Sequence, residues 1–220
     1  IYCDVQLRKA GLNGEEIRSG SVLVVKSHKA SYSWTNVTVP KYDRKGVPSY
    51  GAVILLLRNP YHALVAERNR KKSITSNTKT SHTRTVGPEY FGTNHEWSFF
   101  VKTKILKWKT SIESVVLKSP RDLPKLVVRY EDFQRDRVRE VSRVLDFLHF
   151  PYSRESLSQR LEEDFTTFHR NRHPEFEAFT QAQEQFIDHS LRQTLDSLSA
   201  RNNGETYGIE EYLRNTAVAS

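Results

Sequence analysis

Three short apolar runs constrain this chain more than any other feature. They are Val22 to Val25 ("VLVV"), Val53 to Leu57 ("VILLL") and Leu126 to Val128 ("LVV"). A strand with one wet face alternates apolar with polar residues, and none of these runs alternates, so each reads as a strand buried on both faces. Helical patterns lie between and after them. Tyr61 to Lys72 is one, with Asn59 as N-cap and Pro60 at the first helical position. Residues 94 to 117 form a basic helix with Trp97, Val101, Ile105 and Trp108 on one face. Val138, Val141, Val144, Leu145 and Leu148 keep a 3.6-residue period that must end before Pro151. Phe176, Phe179, Phe186, Leu191, Leu195 and Leu198 suggest a long final helix, stopped near Asn203-Gly204. Buried strands alternating with helices predict an α/β fold with a largely parallel sheet. Residues 73 to 88 are polar and poor in strand formers, and read as a mobile loop.

At 220 residues the chain is long enough for one domain, 1–220, with a sizeable core. No run approaches eighteen uninterrupted apolar residues, so no membrane-spanning helix is expected, and any anchor would lie in a segment outside this chain. The single Cys3 cannot form an internal disulfide, and no cluster with metal-ligand spacing is visible, so no metal is expected. The chain has no methionine and begins Ile-Tyr-Cys, from which a processed product or fragment is expected. Asn36-Val37-Thr38 is a glycosylation sequon that matters only in a lumenal or secreted protein. A formal net charge of +8 favours anionic partners. Nucleic acid is the weakest of these, because aromatic residues are not interleaved with the basic ones as in stacking platforms.

Each apolar run delivers a cation at its C-terminal end: Lys26 in "KSHK", Arg58 in "RNPYH", and Arg129 beside Tyr130. In open parallel sheets that edge binds ligands, next to helix N-termini that favour anions. Converging cations there suggest a phosphate-like ligand, although strand ends are often charged simply because they are exposed. Lys26 and His28 are two residues apart, so an extended backbone projects both side chains to one face. The neighbouring ammonium disfavours a charged imidazole, which suits His28 to a general base.

The segments "VVKSHK", "LLLRNPYHALVAE" and "LVVRYEDFQRDRVREVSRVLDFLHFP", followed by the basic "FHRNR", resemble the sulfotransferases that use 3′-phosphoadenylyl sulfate. The likeness is nearest to the sulfotransferase domain of WSC-domain-containing, Golgi-type proteins, and it covers nearly the whole chain. It implies a three-layer, P-loop-like α/β fold around a central parallel sheet. It implies that His28 takes the proton from an acceptor hydroxyl and that Lys26 stabilises charge on the leaving phosphate. Arg58 corresponds to the arginine that grips the cofactor's 3′-phosphate, for which a planar bidentate donor is suited. Tyr130 is similar to a tyrosine near the adenine, or is a core aromatic. Arg170 and Arg172 lie where the family has a basic loop closing over the 3′-phosphate, Arg170 being the better match. The resemblance further implies a sialylated or other cell-surface glycan as acceptor and a lumenal Golgi location.

Two departures bear on the site. The family's cofactor-contacting serine, eight residues after the arginine, is Ala66 here. The glycine- and serine-rich loop that cradles the 5′-phosphosulfate is not visible in these residues, and neither is a P-loop. The first strand and half of the cofactor site are therefore expected upstream of residue 1, and the 220-residue piece alone is expected to be inactive. Two other readings stand beside the enzyme: a non-catalytic basic module that binds acidic glycans or another polyanion, and a nucleotide kinase of related fold.

Overall fold

The computed structural model describes residues 52–74, 85–168 and 176–214. The chain runs β1 (Val53–Leu57), α1 (Pro60–Ile74), α2 (His95–Val116), β2 (Lys125–Arg129), α3 (Tyr130–Arg135), α4 (Arg137–Phe147), α5 (Arg154–Phe168) and α6 (Gln181–Arg201), with 3₁₀ turns at Pro88–Tyr90 and Ile209–Tyr212. Side-chain caps set most helix starts. The Asn59 carboxamide oxygen accepts from the Tyr61 N–H at 3.0 Å, and Pro60 opens α1 where no amide hydrogen is needed. Asn94 caps α2 through the Trp97 N–H, and Asp136 caps α4 through the Arg139 N–H. Thr180 and Gln183 form a reciprocal capping box at the start of α6.

That capping box corrects one expectation. Phe176 and Phe179 precede α6 rather than forming its first turns, because Thr180 starts the helix behind them. Both rings still reach the core, Phe179 as a buried residue and Phe176 packed against it. The predicted stop holds: α6 ends at Arg201, and Asn203 (φ 52°) and Gly204 (φ 80°) turn left-handed. The expected mobile loop shrinks at both ends, since Ser73 and Ile74 belong to α1 and Pro88–Tyr90 is a 3₁₀ turn. Its centre, 75–84, lies outside the described residues, as does the predicted strand Val22 to Val25. Two helices, α3 and α5, were not expected.

β1 and β2 pair in parallel, in register from Val53 with Lys125 to Leu57 with Arg129. The crossover between them passes through α1 and α2, as a parallel pair requires. Leu55, Leu57 and Val127 join the main core on one sheet face. On the other face Val128 is buried, but Leu56 beside it is 77% exposed. The reading of "VILLL" as buried on both faces is thus corrected at Leu56. The described helices cover that face over β2, where α4 lies, and leave it open over β1.

The core is built mainly between α2 and α6. Trp97 is fully buried, its indole N–H donates to the Ala178 carbonyl at 2.7 Å, and its ring meets Phe91, Phe100 and Phe179. Satisfying the indole while burying its ring makes the position stabilising rather than costly. The α4 stripe is only half-buried, because α4 packs on α3, α5 and β2 rather than on this core. Its one fully buried side chain is Glu140, paired with Arg143 and Arg139.

Candidate functional site

Parallel register brings the two strand ends together. Leu57 pairs with Arg129, so the next residues, Arg58 and Tyr130, are lateral neighbours. The Arg58 guanidinium carbon lies 4.6 Å from the centre of the Tyr130 ring, on its face. That distance is a cation–π contact. Tyr130 is 39% exposed, and its hydroxyl accepts from Gln134 at 3.2 Å. The Arg58 backbone is fixed from the other side, since the Trp108 indole N–H donates to its carbonyl at 3.0 Å. The Arg58 Nε is buried and has no hydrogen-bond partner among the described residues. A buried donor without a partner is costly and asks for an acceptor. Arg58 also stands at the N-terminus of α1, whose partial positive charge adds to its own.

Arg129 behaves differently, and the expectation that it faces a ligand is corrected. Its guanidinium donates to both Glu211 carboxylate oxygens, at 3.0 and 2.5 Å, and its Nε, buried without a hydrogen bond like that of Arg58, lies 3.5 Å from the Asp132 carboxylate. It also stacks 5.3 Å from the Tyr212 ring centre. The hydrogen bonds to Glu211 hold the Arg129 proton more tightly than in an ordinary arginine, and Arg129 in turn holds Glu211 below the usual carboxylate range. A buried, neutralised guanidinium has no charge left for a phosphate. It ties β2 to the C-terminal 3₁₀ turn instead.

A second set of contacts surrounds the strand ends, and the sequence reading missed it. The Glu131 carboxylate accepts from the Asn59 backbone N–H at 2.9 Å and from the Tyr212 hydroxyl at 2.8 Å. Burial, and then this bond to Glu131, push the Tyr212 hydroxyl well above the usual tyrosine range. Tyr61 is also buried, and its hydroxyl donates to Asp188 at 2.6 Å. Arg214 stacks 4.1 Å from the Tyr61 ring centre. These partners lie 72 to 153 residues apart in the chain, and no local pattern announces them.

Much of the positive charge along α1 is matched within the fold. Arg68, 5% exposed, donates to Glu96 and to the Tyr90 carbonyl, Lys72 pairs with Glu96 at 2.6 Å, and Arg70 pairs with Glu67 at 2.7 Å. Ala66 sits half-buried on the same helix. The remaining candidates, Lys26, His28, Arg170 and Arg172, lie outside the described residues.

The family model described as the sulfotransferase domain matches residues 51–201, from just before β1 to the end of α6, and the chain belongs to that family. Its relatives include WSCD family members. One from Aedes aegypti is 30% identical over 161 residues, covering 72% of this chain and 44% of its own length. One from Drosophila melanogaster is 31% identical over 153 residues, 69% of this chain and 42% of its own. The chain thus spans less than half the length of these relatives. No solved structure matches it.

Proposed function

We propose that this chain supplies one wall of the nucleotide site of a sulfotransferase that moves a sulfuryl group from 3′-phosphoadenylyl sulfate to a glycan hydroxyl, within a three-layer, P-loop-like fold spanning 1–220. The observation that carries this reading is Arg58. It is a guanidinium at a strand end and a helix N-terminus, braced on Tyr130, with a buried Nε that lacks an acceptor and, unlike Arg129, with no carboxylate partner among the described residues. A 3′-phosphate offers that acceptor and a charge to match, in the planar geometry an arginine prefers. The exposed Tyr130 ring gives the adenine a surface nearby. Pairing of the α1 cations with Glu67 and Glu96 favours a specific nucleotide over a general polyanion.

In this reading His28 removes the proton from the acceptor hydroxyl as its oxygen bonds to sulfur. The bond between sulfur and the bridging oxygen breaks, and its electron pair stays on the 5′-phosphate, where Lys26 offsets the developing charge. Arg170 and Arg172 close over the 3′-phosphate. The acceptor is a sialylated or other cell-surface glycan, and the location is the Golgi lumen, where Asn36 is available for glycosylation. The test is transfer of labelled sulfate to a glycan by the intact protein. We expect His28→Ala to abolish turnover while nucleotide still binds; full turnover in that variant would make another group the base.

A further inference from the structure

The Arg58 wall is held in place from the C-terminal side. Contacts from residues 208–214 reach the strand ends, the first turn of α1 and Asp188 of α6. Tyr212 donates to Glu131, which also accepts from the Asn59 N–H, the amide that directly follows Arg58. Glu211 grips Arg129, the residue before Tyr130. Arg214 lies over Tyr61 and donates its backbone N–H to Asp188 at 3.3 Å, the carboxylate that Tyr61 also reaches. Gly208, at φ 69°, lets the backbone pass so close to the Arg129 guanidinium that a Cβ there would collide with it. Ile209 and Tyr212 are themselves buried, at 0% and 3% exposure, so the turn is packed rather than draped.

These contacts fall on the sequence neighbours of Arg58 and Tyr130: Asn59 through Glu131, and Arg129 and Glu131 on either side of Tyr130. Glu131 is central, because one carboxylate bonds an amide on the β1–α1 junction and a hydroxyl on the 3₁₀ turn. A carboxylate joining two elements fixes their separation to within hydrogen-bond tolerance. The strap lies beyond residue 201, where the family model ends, so the span that defines the family does not contain it.

We propose that residues 208–214 form a strap, working through Glu131 as a positioning residue, that holds Arg58 and Tyr130 in the geometry that recognises a nucleotide 3′-phosphate. This inference rests on the nucleotide reading above. The mechanism is pre-organisation: a guanidinium already aimed loses less freedom on binding than one that must be ordered. The strap therefore sharpens discrimination for the 3′-phosphate rather than supplying general affinity.

The experiment measures that discrimination in the intact protein as the ratio of dissociation constants for adenosine 5′-phosphate and 3′-phosphoadenosine 5′-phosphate. Tyr212→Phe keeps the ring, its burial and its stacking on Arg129, and removes only the hydroxyl. We expect it to lower the ratio about 5-fold, close to 1 kcal/mol, in a protein that remains folded with a modestly lowered melting temperature. Glu131→Ala should lower it further, and Glu131→Gln, which can still accept from the Asn59 N–H, should restore part of the loss. A merely structural role would weaken both nucleotides equally or follow the melting temperature, and so leave the ratio unchanged. An unchanged ratio in both Tyr212→Phe and Glu131→Ala, with the parent protein discriminating, would overturn the strap alone. No preference for the 3′-phosphate in the parent protein would overturn the nucleotide reading and the strap together.

Discussion

The guanidinium of Arg58 lies 4.6 Å from the centre of the Tyr130 ring, and the two residues directly follow β1 and β2, whose ends parallel pairing brings level. The contact orients a cation that no described carboxylate neutralises, while the terminal nitrogens of its neighbour Arg129 are both held by Glu211. One strand end is thus available for binding and the next serves the fold. Removing the ring should expose the difference. Tyr130→Leu is expected to weaken 3′-phosphoadenosine 5′-phosphate binding several-fold, on the order of 1 kcal/mol for a cation–π brace. Tyr130→Phe should stay near the parent value, and titration of the three proteins against the nucleotide compares them.

Ala66 offers a gain rather than a loss. It stands on α1, where the wider family carries a hydroxyl, and it is half-buried. Ala66→Ser is expected to tighten nucleotide binding, by roughly 1 kcal/mol if the hydroxyl meets the phosphate. Unchanged affinity would mean that α1 and the phosphate are further apart here than in the family.

Tyr61 tests how firmly the first turn of α1 is held. Its hydroxyl donates to the buried Asp188, and burial followed by that bond pushes it well above the usual tyrosine range. Tyr61→Phe removes one donor from a carboxylate that is 3% exposed. A loss of about 1–3 kcal/mol of stability is expected, the usual cost of weakening a buried polar group. Denaturant unfolding measures it, and a change within error would show that the remaining donors suffice.

Glu211 gives a pH dependence of known sign. Arg129 holds its carboxyl below the usual range, so in the folded state it releases its proton more readily than when unfolded. Stability from the pair is therefore present above the unfolded glutamate value, about 4.3, and is lost as pH falls through the lower, folded value. Melting temperatures of the parent and Glu211→Gln should differ at pH 7 and converge in acid. Curves that stay parallel down to acid pH would show that the pair does not contribute. Because Glu211 is half-exposed, the separation at pH 7 should be small.

The sequence was most legible where signals are local. Asn59-Pro60 and Asn94 place two helix starts, Asn203-Gly204 places a helix stop, and the apolar runs give both described strands, because caps and periodicity act within one or two turns. It was least legible where partners are distant. Nothing near Arg129 indicates that Glu211, 82 residues on, neutralises it, and nothing near Glu131 indicates Tyr212. Phe176 and Phe179 misled for a related reason: aromatic residues before a helix pack into the core as well as those within it, and periodicity alone does not separate them. Arg58 was singled out correctly as a strand-end cation, but its distinction from Arg129 depends on tertiary pairing.

In the proposed site Arg58 receives the 3′-phosphate of the nucleotide. Isothermal titration of the intact protein with 3′-phosphoadenosine 5′-phosphate, comparing the parent with Arg58→Ala, tests it most directly. Saturable binding is expected in the parent, weakened at least about 30-fold in the variant, which is roughly 2 kcal/mol. Equal affinity in the two proteins would contradict it.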